Sequence, residues 1–220
     1  MAIDLKSLNQ KTKKGTVLTY SLISAFLFLA LVFFTVLIVN YNINNKAAAL
    51  FEKAYIQILD FNDQKNIYSK QEMEEDIIFA LDRVISQYPK TSSGKRAVFY
   101  KGYVFYNVGK YEEAKKIFDY FVKAFSKDRL IEKVYYYLSY CYSETNDVDG
   151  AIDTLKVFEQ KYPSSYYSSI AYFRLGYLYE KKDKEKSKEY YNKVISQTDS
   201  GSQKEMARKR VIALENDLEF

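Results

Sequence analysis

The sequence predicts an all-α protein in which one transmembrane helix precedes an α-solenoid of antiparallel helix hairpins. Three observations indicate this fold. The 220-residue chain has only seven Gly and two Pro, too few turn residues for a many-stranded β protein. Residues 16–39 form an uncharged, apolar run. The rest of the chain repeats a pattern of paired helices at a constant interval.

The apolar run from Thr16 to Val39 contains 24 residues without a charge. As a helix it would be about 36 Å long, enough to cross the core of a bilayer. The alternatives are a buried core helix and a cleaved signal peptide. Core helices rarely extend this far without a charged residue, and the run is longer than the apolar region of a signal peptide, roughly 7–15 residues. We therefore expect residues 16–39 to form an uncleaved transmembrane signal anchor.

The charges that flank the anchor predict its orientation. Four Lys and one Asp precede it, whereas Asn40 to Asn45 after it are uncharged. Because cytoplasmic flanks carry the excess of Lys and Arg, residues 1–15 are expected to form a basic arm in the cytoplasm. Residues 41–220 contain 29 basic and 27 acidic residues, so the domain after the anchor is nearly neutral. It has no electrostatic reason to bind nucleic acid.

Residues 45–220 contain a repeated unit. Three alignable segments begin at Arg96, Lys133 and Ile170, 37 residues apart. Each unit has two helix-length patterns separated by a short polar break, which predicts a helical hairpin. The breaks are Asn107–Lys110, Glu144–Asp149 and Lys181–Lys184.

The ends of the repeated region are less regular. A looser unit precedes the three, with helices near Asn45 to Phe61 and Gln71 to Tyr88 joined by a longer loop. A final helix from Ser202 to Leu218 is expected to cap the stack. Pro89 and Pro163 each close a second helix, and the Ser or Thr residues after them suit the cap of the next helix.

These units resemble the tetratricopeptide repeat family. The unit from Arg96 carries the motif at its spacing, the next keeps it with Ser139 in place of Gly, and the third keeps its first half. The matching residues are Gly102, Phe105, Gly109, Tyr111, Ala114 and Phe118, then Leu138, Tyr142, Ala151 and Pro163, then Leu175, Gly176 and Tyr179. The resemblance covers most of residues 45–220. It implies a solenoid that binds other proteins.

Small and large residues of the motif predict how each hairpin packs. Small residues at Gly102, Ala151 and Gly176 should let the two helices approach closely. Large residues should fill the space beside them; these are Phe118, Leu155 and Tyr191.

Aromatic residues recur at two positions of the first helix in each unit. One row is Phe99, Tyr136 and Phe173, and the other is Tyr103, Tyr140 and Tyr177. Residues four apart share a helix face, and by resemblance this face lines the concave groove of the solenoid. The six rings are therefore predicted to line a partner-binding groove open to water. The alternative is ordinary packing in a chain with 23 Tyr, and the adjoining register of Tyr100, Tyr137 and Arg174 is mixed.

The composition gives no support for an enzyme. The chain has no His and one Cys, which excludes a catalytic His, a His-ligated metal and a Cys cluster. Cys141 is expected to be an inert, buried thiol. Ser92 to Lys95 and Gly109-Lys110 match fragments of catalytic and phosphate-binding motifs without their partner residues. We expect no catalytic residue, cofactor, metal or small-molecule substrate.

These features predict a non-enzymatic scaffold for protein–protein interaction in the bacterial inner membrane, with a cytoplasmic N-terminus and a periplasmic domain. The layout is similar to membrane-anchored periplasmic tetratricopeptide repeat proteins of envelope complexes, and a flagellar-motor collar is one such machine. Two alternatives remain. One is a periplasmic chaperone or translocon accessory subunit that contacts many clients. The other is an import receptor on an organelle surface, whose repeats would face the cytosol.

Overall fold

The structure is a computed structural model that describes residues 5–197 and 201–216, with side chains from Tyr20 onward. Within these residues the chain forms nine α-helices. They are α1 (Leu5–Asp63), α2 (Ile67–Gln87), α3 (Ser92–Asn107), α4 (Tyr111–Ala124), α5 (Ile131–Glu144), α6 (Val148–Lys161), α7 (Ser168–Tyr179), α8 (Lys184–Ser196) and α9 (Gly201–Glu215). The all-helical prediction is confirmed.

The predicted anchor and the first helix of the repeat region form one continuous helix. Helix α1 has 59 residues and is about 88 Å long. No Gly or Pro lies between residues 16 and 63, so no strong helix breaker interrupts this part of α1. The side-chain amide of Asn44 donates from Nδ2 to the backbone oxygen of Asn40, one turn earlier, at 2.8 Å, and the backbone between them is part of α1. Residues 40–44, between the predicted anchor and the predicted repeats, are therefore helical.

The two halves of α1 have different surroundings. From Tyr20 to Val39 all side chains except that of Ala30 are exposed, and this is the one stretch of the described residues that is long and apolar enough to cross a membrane. From Ala47 onward one face of the helix is buried, including Phe51, Ile58 and Phe61. The second half of α1 therefore serves as the first helix of the looser repeat.

The helices stack in two layers. Each hairpin pairs an odd-numbered helix with the even-numbered helix that follows it. The odd-numbered helices also contact each other, α1 with α3, α3 with α5 and α7 with α9, so they form one layer, which we call the inner layer. The even-numbered helices α2, α4, α6 and α8 form the outer layer. This arrangement is the predicted α-solenoid.

The helices of each hairpin approach closely at the predicted small residues. A Cβ atom on Gly102 would lie 2.7 Å from the Phe118 ring, and one on Gly176 would lie 2.7 Å from the Tyr191 ring. Phe118 and Tyr191 are both fully buried. At the equivalent position in α5, Ser139 is fully buried, and its hydroxyl donates to the Tyr136 carbonyl at 2.7 Å. The hairpin packing predicted from the motif is confirmed.

Some boundaries differ from the prediction. The connection between α1 and α2 is only three residues long, because Asn66 accepts from the Tyr68 backbone N–H at 2.8 Å and starts α2 early. Thr91 caps α3 as expected, accepting from Gly94 N–H at 3.0 Å. Before α7 the Ser165 hydroxyl accepts from Tyr167 N–H at 2.9 Å, two residues ahead of a conventional cap. Leu218, the predicted end of the last helix, lies outside the described residues.

Candidate protein-binding groove

The six predicted rings lie on separate repeats of the inner layer, and among the residues whose side chains the structure describes the ring contacts between α3 and α5 each include Tyr106 or Tyr137. Helices α3, α5 and α7 carry one ring of each row, and the hairpin packing described above fixes how each helix is rotated. Residues four apart lie on one face of a helix, so the two rings of each helix share a face. Their accessibility differs from one repeat to the next.

Phe99 is a correction to the prediction of an open groove. Its side chain is 1% exposed because rings surround it, with centroid distances of 6.1 Å to Phe118 and 6.0 Å to Tyr137. The Lys133 ammonium lies 5.3 Å from the centroid of the Phe99 ring. Phe99 is part of the core and presents no surface to a partner.

The other predicted rings of α3 and α5 are half-buried. Tyr103 donates from its hydroxyl to the Asn62 side chain of α1 at 2.9 Å. The Tyr136 and Tyr140 rings lie 4.9 Å apart, as expected for residues one turn apart. Each of these rings keeps part of its surface exposed. They form the central part of the candidate groove.

Tyr137 and Tyr106 are two groove residues that the row pattern missed. The Tyr137 ring lies 5.6 Å from Tyr103 and 5.1 Å from Tyr106, and it stacks on Phe118 at 5.8 Å. Tyr106 also contacts Tyr140 at 6.3 Å. Tyr137 therefore links α3 to α5 through ring contacts. Tyr106 lies three residues after Tyr103, and that helical spacing could have identified it.

The rings of α7 lie in different surroundings from those of α3 and α5. Phe173 is half-buried and contacts Tyr191 of α8 at 5.3 Å. Tyr177 is 50% exposed, and the Arg210 guanidinium of α9 lies 5.8 Å from its centroid. Tyr177 is thus the most accessible of the six predicted residues.

A cation from each later inner helix lies over a ring of the inner helix before it. The measured distances from the cation to the ring centroid are 4.4 Å for Arg96 over Phe51, 5.3 Å for Lys133 over Phe99, 3.3 Å for Arg174 over Tyr140 and 5.8 Å for Arg210 over Tyr177. Contacts of this kind stabilise by roughly 0.5–2 kcal/mol each. They tie neighbouring repeats together along the inner layer, and they place positive charge among the rings.

The ionisable groups of the groove suit binding better than chemistry. Burial raises the pKa of Tyr106 to about 12, and burial also raises the pKa of Tyr136 and of Tyr137. These phenols are therefore neutral hydrogen-bonding groups near pH 7. Cys141 is fully buried and burial raises its pKa to about 12, so the thiol is inert as expected. No cluster of metal-ligating residues occurs among the described residues.

Comparison with known proteins identifies the repeats. Residues 133–165 and 170–197 match the tetratricopeptide repeat family model. No curated protein matches the chain. A tetratricopeptide repeat protein from Parabacteroides merdae has a similar structure, with 14% sequence identity and a TM-score of 0.61 over 79% of this chain and 61% of that one. The match thus spans less than two thirds of that protein's length.

Two further structures have the same fold. One contains the nearly identical TPR-like repeats of a putative kinesin light chain from Podosopora anserina. Its sequence is 12% identical to this chain, with a TM-score of 0.55 over 79% of this chain and 87% of that one. BtubC from P. vanneervenii is 10% identical, with a TM-score of 0.54 over 79% and 82% of the two chains. At these identities the likeness shows a common fold.

Proposed function

We propose that this chain, two of whose hairpins match the tetratricopeptide repeat family model, is a non-enzymatic scaffold that is anchored in a bacterial inner membrane and assembles an envelope complex on the periplasmic side. The fold is one that binds other proteins. The proposal of a scaffold held at a membrane depends mainly on a single observation: the same helix, α1, carries both the exposed apolar segment and the buried face of the first repeat.

The apolar half of α1 supports membrane anchoring. Its side chains from Tyr20 to Val39 have no protein surface to pack against in the described structure. A helix exposing this many Leu, Phe, Val and Ile side chains would aggregate in water, and a bilayer would cover it. The Lys-rich arm before it favours a cytoplasmic N-terminus. The repeats would then lie in the periplasm.

Continuity of α1 favours a scaffold over a chaperone that reaches for mobile clients. The distance from Val39 to the first buried residue, Ala47, is eight helical residues, about 12 Å. A helical connection holds the groove at a fixed height and rotation, whereas a Gly- or Ser-rich linker would let it move. Confinement near the bilayer also raises the effective concentration of partners held in the same membrane.

Photo-crosslinking in intact cells tests the proposal. A benzoylphenylalanine probe replaces Tyr140, a half-buried groove residue, and a control probe replaces Phe79, which is 66% exposed on the outer helix α2. We expect one or two proteins of the envelope to be trapped in stoichiometric yield at position 140 and not at 79. A broad set of unfolded clients at 140 would instead indicate a chaperone.

Protease treatment of spheroplasts tests the topology separately. The repeats should be digested from outside while residues 1–15 remain protected. Digestion confined to the N-terminal arm would reverse the orientation and refute the periplasmic assignment.

A further inference from the structure

The two edges of the solenoid lie at different distances from the apolar segment of α1. Helix α1 runs away from that segment and ends at Asp63, and short connections make each following helix antiparallel to the one before it. The connections after α2, α4, α6 and α8 therefore lie on the side of the apolar segment, and we call this side the near edge. The connections after α1, α3, α5 and α7 lie on the opposite side, the far edge.

The near edge lies within reach of a bilayer that covers the apolar segment. The Arg96 guanidinium, in the second turn of α3, is 4.4 Å from the centroid of the Phe51 ring of α1, so the connection after α2 lies beside the first buried turns of α1. Ala47 begins these turns, about 12 Å above Val39. Lipid headgroups fill about 5–7 Å of that distance. A tilt of α1 by about 20°, the average for a transmembrane helix, would lower one side of the edge further.

The near and far edges carry opposite net charge. Each edge comprises its connections and the four helical residues on either side of them. The near edge contains nine Lys or Arg and four Asp or Glu, in residues 84–95, 121–134, 158–171 and 193–204. The far edge contains seven Lys or Arg and ten Asp or Glu, in residues 60–70, 104–114, 141–151 and 176–187. The edge toward the apolar segment is therefore positive, and the other is negative.

Helix dipoles account for only part of this difference. A dipole favours cations in the last turn of a helix and acids in the first, which agrees with Lys123, Lys161 and Lys193 in the last turns of α4, α6 and α8. The inner helices begin at the near edge, where the dipole favours acids. Nevertheless α3, α7 and α9 have no acid in the first turn, and α3 has Lys95 there. Both layers thus avoid free acids at this edge.

Most acids of the near edge are already bonded within the chain, whereas several exposed cations are not. Three of the four acids have near-edge partners: Asp128 with Lys95 at 3.5 Å, Glu159 with Lys193 at 3.0 Å, and Glu132 with the Ser165 hydroxyl at 2.5 Å. Among the residues whose side chains the structure describes, no carboxylate lies within 4.0 Å of Lys90, Lys127 or Arg129. These three side chains are exposed in the connections themselves.

Tyr166 adds an exposed aromatic ring to the near edge. It lies in the connection between α6 and α7 and is 89% exposed, more than any other Tyr whose side chain the structure describes. Its ring meets the Tyr167 ring edge-on, with the centroids 5.8 Å apart. Tyr is enriched where a protein meets lipid headgroups, because its ring is apolar and its hydroxyl is polar. Basic side chains beside it would meet the lipid phosphates.

We propose that the near edge docks on anionic phospholipid headgroups, with Lys90, Lys127 and Arg129 beside lipid phosphates and the Tyr166 ring among the headgroups. Because α1 already holds this edge close to the bilayer, the effective concentration of headgroups is high and weak contacts suffice. Docking would fix the tilt of the solenoid over the bilayer, which a single anchor does not set. The inference rests on the proposed membrane anchoring, but it holds for either side of the membrane.

Quenching of a single Trp tests the proposal in the full chain. The chain has no Trp, so Tyr166→Trp places one fluorophore on the near edge. Tyr68→Trp is the matched control, since Tyr68 is 71% exposed on the far edge. Each variant is placed in nanodiscs that contain a lipid with a spin-labelled headgroup, made either of phosphatidylcholine or of equal parts phosphatidylcholine and phosphatidylglycerol. We expect quenching at position 166 with phosphatidylglycerol only, and none at position 68 with either lipid.

Charge variants of the Tyr166→Trp chain show whether the cations cause docking. Gln at Lys90, Lys127 and Arg129 together should lower the ratio of docked to undocked chains about a hundredfold, at roughly fivefold for each basic residue near an anionic surface. About 1 M salt should have a similar effect, because it shortens the Debye length to about 3 Å. A control variant loses the same charge at exposed positions away from the near edge and should keep the quenching; Gln replaces Lys65, Lys116 and Lys181.

Several outcomes would overturn the inference. Equal quenching at position 166 with and without phosphatidylglycerol would show proximity without recognition of the lipid. Quenching that is as strong in the near-edge Gln variant as in the control variant would show that the three cations do not dock. If the chain inserts into nanodiscs and position 166 is not quenched, the anchor stands and docking is rejected. If the chain does not insert at all, the proposed anchoring fails and docking fails with it.

Discussion

The continuous helix α1 predicts that changes in its length will move the repeats by a defined amount. Insertion of seven Ala between Asn42 and Ile43 should extend α1 by about 10.5 Å while rotating the repeats by only about 20°, because seven residues are close to two turns. Insertion of two Ala should raise them by about 3 Å but rotate them by about 200°. The first insertion therefore changes height and the second changes direction.

Energy transfer to labelled lipids measures the height. The donor dye is placed on Lys90→Cys in a Cys141→Ser background, in nanodiscs that contain acceptor lipids. Arg96 lies over Phe51, so the α2–α3 connection that contains Lys90 lies near the start of the buried part of α1. We expect the seven-Ala chain to show a single donor population moved about 10 Å from the bilayer, and the two-Ala chain to move little.

A flexible insertion is the matched control. Seven residues of Gly and Ser at the same site should broaden the distribution of distances between the donor dye and the bilayer, without moving it to one new distance. In cells, the two-Ala chain should lose the crosslink from position 140, because its repeats face another direction. In the seven-Ala chain the repeats keep their direction, so the crosslink should depend only on the distance to the partner. If the seven-Ala and Gly-Ser chains give the same distance distribution, α1 is not a rigid connection and the reasoning is refuted.

Three further predictions concern the solenoid. Gly176→Ala should lower the free energy of unfolding by about 1–2 kcal/mol, because overpacking against the buried Tyr191 outweighs the gain in helix propensity. Chemical denaturation measures this free energy. An unchanged denaturation midpoint would show that the Tyr191 ring can shift. Phe99→Ala should cost about 3–5 kcal/mol of folding stability. Tyr177→Ala should leave stability nearly unchanged and weaken partner capture. Equal losses of stability in the two variants would contradict the burial assigned to Phe99 and Tyr177. Burial raises the pKa of Tyr100, Tyr106 and Tyr190 to about 12, so the folded chain keeps protons that the unfolded chain loses near pH 10. These groups should leave the free energy of unfolding unchanged below pH 10 and lower it between pH 10 and 12. A free energy of unfolding that does not change between pH 10 and 12 would refute this prediction.

Much of the fold could be predicted because it depends on spacing. The interval of 37 residues from Phe99 to Tyr136 and again to Phe173 sets equivalent helices in equivalent places. The small residues Gly102 and Gly176 marked where two helices meet, since a Cβ atom at either position would lie 2.7 Å from the Phe118 or Tyr191 ring. The continuity of α1 was harder to predict, because the Asn-rich stretch 40–45 has low helix propensity, yet no residue in it actually breaks a helix.

Burial along the ring rows could not be predicted because residues of the following repeat cover some of the rings. Phe99 in α3 is covered by Tyr137 in α5, and Tyr140 in α5 is covered by Arg174 in α7. The covering residues belong to the register that was set aside as mixed, Tyr100, Tyr137 and Arg174. At that position Tyr137 packs against Phe99 and Phe118, whereas Arg174 stacks on Tyr140. Equivalent positions in the repeat therefore make different contacts, and the spacing of the aromatic residues does not show which rings are covered.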